Sequence, residues 1–129
     1  MRILFIHQNF PGQYVHIIHR LAQQGQHQLV ALGINALDRG RGMPESLKHF
    51  RYRLDRGNTK GVHPLVMETE SKIIRAEGCA RAAEQLKAKG FMPDLICAHP
   101  GWGEPLFLKA IWPDAPLLCY QEFFYNEFG

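Results

Sequence analysis

The chain has 129 residues, a formal net charge of +3, 46% hydrophobic and 21% charged residues, the length and balance of one globular domain, which excludes a disordered or low-complexity chain. No apolar run nears the ~18 residues a membrane-spanning helix needs, and a charge this small argues neither for nor against an anionic partner. Three well-separated cysteines, Cys79, Cys97 and Cys119, read as free buried thiols of a reducing compartment rather than as a disulfide framework.

The first element is the apolar run "RILFIH" at residues 2–7, typical of a strand buried on both faces. With one arginine and so short an apolar run, the first ten residues lack the pattern of a signal peptide and read as structure. Asn9, Pro11 and Gly12 break the strand. "GQYVHIIHRLAQQG" then carries Val15, Ile18, Leu21 and Ala22 at helical spacing and stops at Gly25. "HQLVALG" follows as a second apolar strand, completing the strand–helix–strand unit of a parallel sheet.

Residues 35–64 are rich in Gly, Arg and Lys and are expected to form a long loop with one short strand from Phe50 to Leu54. Residues 66–89 predict the longest helix, with Ile73, Ala76, Ala80 and Ala83 on one stripe and Gly90 as its cap. Glu68/Lys72 and Glu77/Arg81 are spaced as ion pairs on its other faces. A strand at 94–98, a helix from Gly103 to Ile111 and a strand at 117–121 close the described pattern. The final ten residues, "YQEFFYNEFG", hold five aromatics, which points either to a chain that continues or to an aromatic surface that packs on a partner. The alternation predicts an α/β, Rossmann-like doubly wound, mostly parallel sheet with helices on both faces, a single domain over residues 1–129.

In such a sheet ligands bind beyond the carboxyl ends of the strands, where strand order reverses. Order 3-2-1-4-5 makes strands one and four neighbours there. Strand one ends in His7, Gln8 and Asn9, followed by Gly12 and Gln13; strand four ends in His99, followed by Gly101, Trp102, Gly103 and Glu104. His99 is the leading candidate site residue, because it ends a buried strand beside helix-opening amides. Gly12, Gln13, Asn9, His7, Trp102 and Glu104 are the candidate ligand-binding residues. Each also has a plainer reading: a loop histidine, a core lid for Trp102, or a carboxylate complementing a helix dipole for Glu104.

"HQNFPGQY" holds one glycine where a dinucleotide fingerprint needs three, and strand two ends without a ribose-binding acid. There is no phosphate-binding P-loop and no GxSxG nucleophile elbow. His16 and His19 lie a helical turn apart without further ligands, so no metal site is expected. Arg39, Arg41, Lys48, Arg51, Arg53, Arg56 and Lys60 make residues 39–60 locally basic. That segment suits an anionic acceptor or a membrane headgroup surface; without a recognition helix, nucleic acid is not expected as a partner.

"MRILFIHQNFPGQYVHI", "RAAEQLKAKGFMPDLICAHPGWGEPLFLK" and "YQEFFY" resemble the amino-terminal part of family 4 glycosyltransferases, most of all the branch carrying "HQNFPGQ" and "HPGWGE" segments. The resemblance implies the N-terminal half of a GT-B fold, in which this acceptor-side domain faces a C-terminal donor-binding domain of the same chain across a cleft. It implies sugar transfer, of hexosyltransferase type, from a nucleotide-diphosphate sugar with retention of configuration, without metal or other cofactor. Gly12 then matches the glycine that lets backbone approach the donor phosphate, and His99 the histidine that hydrogen-bonds the transferred sugar. No acidic donor-binding motif occurs here, so the chain by itself is expected to be inactive. The expected acceptor is a sugar or a lipid-linked group. The expected location is the cytoplasm, with peripheral contact to the inner membrane face through residues 39–60. The alternatives are a stand-alone, non-catalytic nucleotide- or sugar-binding module, and an interaction module docking through the aromatic tail.

Overall fold

The two apolar runs nearest the N-terminus become adjacent inner strands. In the computed structural model, which describes residues 1–37 and 42–122, β1 spans Arg2–Ile6 and β2 spans Gln28–Gly33. They pair in parallel with Ile3 opposite Leu29 and Ile6 opposite Leu32. β3 (Lys48–Arg51) lies outside β2, while β4 (Leu95–Ala98) and then β5 (Leu117–Cys119) lie on the other side of β1. The order is β3-β2-β1-β4-β5, and all four pairings are parallel. The fold is therefore Rossmann-like α/β.

Because successive side chains of a strand point to opposite faces, the sheet builds two cores. Leu4, Ile6, Val30, Leu32 and Ile96 face Cys79, Ala83, Leu86, Leu108 and Trp112 of the helices on one side. Ile3, Phe5, Leu29, Ala31 and Cys97 face Phe10, Tyr14 and Ile18 on the other. Helix α1 (Val15–Gln23) follows a 3-10 turn over Gly12–Tyr14 and ends before Gly25, whose φ is +68°.

α2 runs over Pro64–Ala88, two residues longer at its start than the periodicity indicates. Pro64 suits the first helical position, and the His63 ring accepts a hydrogen bond from the Leu65 amide at 3.2 Å. Its buried stripe is Ile74, Ala76, Cys79, Ala83 and Leu86. Ile73, expected on that stripe, is exposed instead, because it borders an open apolar cleft beside Pro105, Leu106 and Leu117. Glu68 and Lys72 pair at 2.9 Å, but Arg81 reaches Asp55 at 2.8 Å rather than Glu77.

Two further boundaries shift. β3 covers Lys48–Arg51, not Phe50–Leu54; its side chains are mostly exposed, so no apolar alternation marks it, and Tyr52 turns into the core while its amide still donates to Gly33. The helix expected over Gly103–Ile111 is a 3-10 turn, Glu104–Phe107, followed by the short α3 (Leu108–Ile111), and a further 3-10 turn, Pro100–Trp102, precedes it. Pro100 and Pro105 remove amide donors, and Gly103 breaks the run at φ +99°. A side-chain carbon at Gly103 would overlap the carbonyl of Lys72, so this turn rides directly on α2. The strand expected over 117–121 stops at Cys119. Cys79, Cys97 and Cys119 are free, and burial raises the first two thiols' pKa values. Among the described residues no helix is long and apolar enough to cross a membrane.

Candidate functional site

The two polar strand ends meet. The amide of His99 donates to Ile6 at 3.1 Å and that of His7 to Leu32 at 3.2 Å, so each histidine extends its strand's ladder by one residue. Their rings lie 5.4 Å apart between centroids at 65°. Each ring is then fixed by the turn that follows it. Asn9 donates its amide to Nδ1 of His7 at 3.0 Å, and Gly101 donates its own to Nδ1 of His99 at 3.2 Å. An Nδ1 that accepts leaves the hydrogen of the neutral ring on Nε2.

For His99 that outer nitrogen meets Oε2 of Glu122 at 3.0 Å. The other oxygen of Glu122 accepts from the side-chain amide of Gln13. One carboxylate thus ties the loop after β1 to the loop after β4. These two bonds, Gln13 first and His99 second, hold the Glu122 pKa below its ordinary value. Burial first, and the neighbouring His99 second, lower the pKa of His7.

The glycines explain how the rings fit. Gly12 has φ +51°, and a side-chain carbon there would stand 2.5 Å from Nε2 of His7. At Gly101 such a carbon would stand 2.6 Å from Cε1 of His99. Both positions are empty of side chain because an imidazole occupies the space. Asn9 accepts from Asn35 at 2.6 Å, joining the first loop to the end of β2.

His99, Trp102, Tyr120, Glu122, Glu68 and Lys72 surround a pocket of about 420 Å³. His99 is 4% exposed and Trp102 41%, so the imidazole forms an inner wall and the indole an outer one. The Arg75 guanidinium sits 5.8 Å from the Trp102 ring centroid.

The structure therefore brings together His7, Asn9, Gly12, Gln13 and His99, with Trp102 at the rim. Glu104 is placed elsewhere. It is 1% exposed, accepts a hydrogen bond from the Tyr52 hydroxyl at 2.6 Å, and its other oxygen has no partner among the described residues. Burial raises the pKa of both Glu104 and Tyr52. This pair ties the turn below His99 to the end of β3, inside the core rather than in the crevice.

Sequence reasoning passed over Glu122 and Tyr52 as site neighbours. Applying the strand-end rule to strand five as well as to one and four would have found Glu122, three residues beyond Cys119. Of the basic segment, Arg51 donates to the Ile34 carbonyl at 3.0 Å and Arg56 pairs with Glu70 at 3.1 Å. Both therefore have local structural partners. Arg39 and Arg41 lie outside the described residues, as do Phe123, Phe124, Tyr125 and Phe128 of the aromatic tail.

A model of the glycosyl transferase family 4 group matches residues 25–129, a span that includes His99, Trp102 and Glu122 but not the loop at His7–Gln13. Among curated proteins none matches. Two solved structures are similar in fold. One is UGT2 of Phytolacca americana, complexed with UDP-2fluoro-glucose and pterostilbene, with TM-score 0.62 and 16% identity over 92% of this chain. The other is a glycosyltransferase from Rickettsia africae ESF-5, with TM-score 0.54 and 14% identity over 97% of this chain. The chain spans 30% of the length of each.

Proposed function

Since the chain belongs to the glycosyl transferase family 4 group, we propose that it is the acceptor-side domain of a GT-B enzyme that moves a hexose from a nucleotide-diphosphate sugar to an acceptor with retention of configuration. The observation that carries this reading is the fixed imidazole of His99, whose Nε2 is presented at the wall of a pocket formed by the segments after β4 and β5 and by α2. In the proposal that Nε2–H donates to a hydroxyl of the sugar being transferred. Glu122, bound to both loops, holds the donor nitrogen in place or yields its position to the sugar hydroxyl. In this reading the backbone of Gly12 approaches the donor phosphate, while the His7 ring fills the space a side chain there would take.

The bond from the anomeric carbon to the diphosphate oxygen breaks as positive charge builds on the ring. The acceptor hydroxyl forms the new bond on the same face, and its proton passes to the departing phosphate oxygen. No residue of this chain acts as a covalent nucleophile, and the reaction is written without a metal. The remaining donor contacts fall to a second domain of the same polypeptide. Catalysis by the chain's own groups is then positioning and electrostatic preorganisation.

The test is release of nucleotide diphosphate from UDP- and GDP-sugars by the full-length protein. His99→Ala is expected to lower kcat by roughly 10²–10³, the usual cost of removing one preorganised donor. Undiminished turnover in that variant removes His99 from the mechanism.

A further inference from the structure

The pocket beside His99 has one feature that donor binding does not require. Of the two tryptophans, Trp112 is 1% exposed and belongs to the core, whereas Trp102 is 41% exposed. An indole left this open carries a cost in apolar surface, yet here it has contacts that brace it. Gly103 next to it packs on the Lys72 carbonyl of α2, and Arg75 of the same helix stacks on the ring. The turn and the helix thus form one unit that presents a flat apolar surface to the pocket.

Around that surface stand hydrogen-bonding groups of both kinds. Glu68 and Lys72 come from α2, Glu122 and the His99 ring from the strand ends. A pyranose ring has the complementary form, with one face of C–H groups and an equator of hydroxyls that both donate and accept. The volume, about 420 Å³, lies in the range of small-molecule sites. The neighbouring cleft of the same volume, beside Ile73, Pro105, Leu106 and Leu117, has only Thr69 and Lys72 as polar side chains and no aromatic face, so it offers no such match.

Resting on the glycosyltransferase reading, we infer that the acceptor is itself a glycoside, whose sugar ring stacks on Trp102 while Glu68 and Lys72 bind its hydroxyls. Trp102 is then a specificity residue that places an acceptor hydroxyl beside the sugar held at His99.

Fluorine NMR of the full-length protein labelled with fluorotryptophan tests this without donor or turnover. The resonance lost in Trp102→Phe identifies Trp102. Titration with methyl glucoside, methyl mannoside and methyl N-acetylglucosaminide is expected to shift that resonance saturably for at least one of them, and to leave Trp112 unmoved. Trp102→Leu should weaken that binding about tenfold, the worth of one stacked ring, while Trp102→Tyr retains it. No shift with any of the three overturns the inference. Either result leaves the His99 turnover test standing. A saturable shift in a protein with no donor turnover would keep the platform and sink the transferase reading.

Discussion

His7 and His99 occupy equivalent places, one residue past a strand and locked by an amide two residues on. They differ in what their outer nitrogens meet. His99 meets Glu122 at the pocket, whereas His7 abuts Gly12 and burial lowers its pKa. The folded His7 pKa lies below the ordinary 6.5, so between the folded and unfolded values the unfolded chain binds more protons. Stability is therefore full above about pH 6.5 and declines as pH falls below it. His49 acts in the same direction, from burial and then Arg51. Urea unfolding at pH 7.5 and 5.5 should show a lower midpoint at the acid pH, and a smaller drop in His7→Gln. Equal drops in variant and wild type would mean that His7 takes up its proton freely when folded. At this scale the sequence was partly legible. Residue types at two strand ends pointed to His7, Gly12 and His99, but which imidazole reaches the pocket depends on Glu122, which is remote in sequence.

Elements set these residues in place through tight contacts rather than through long regular structure. The turn after β4 has no helix of its own beyond two 3-10 segments, and it is anchored by Gly103 against α2 and by the Tyr52–Glu104 bond. Gly103→Ala would combine φ +99° with a collision against the Lys72 carbonyl. The expected cost is about 1–3 kcal/mol of unfolding free energy, as for other residues forced into sparsely populated backbone regions. Donor turnover should fall too, since His99 and Trp102 are displaced with the turn. Denaturant unfolding of the variant checks the first, and a midpoint equal to wild type would show the turn relaxing at no cost. Glu104 lay in the same loop by sequence and was expected in the crevice. Its direction into the core follows from Pro105 and Gly103 reshaping the segment, which periodicity does not encode.

Over the whole molecule the strand order is the one expected of a doubly wound sheet, an expectation that rested on the strand–helix alternation along the chain and not on any single apolar run. β3 escaped accurate placement because an edge strand with exposed side chains has no hydrophobic signature. The order matters for function because it sets β1 beside β4 and β5 beside β4, collecting three strand ends at one rim. The opposite rim carries a different cluster: Arg2 pairs with Asp94 at 2.7 Å, and that bond first among its causes lowers the Asp94 pKa to about 2. The rim at His99 is the proposed sugar-handling site. Amide NMR of the full-length protein, titrated with UDP-glucose and GDP-mannose, addresses it directly. Saturable shifts should concentrate at Gly12, Gln13, His99, Gly101 and Glu122, leaving Arg2, Asp94 and Ala115 unmoved. Shifts centred on those last residues, with the two strand-end loops silent, would contradict it.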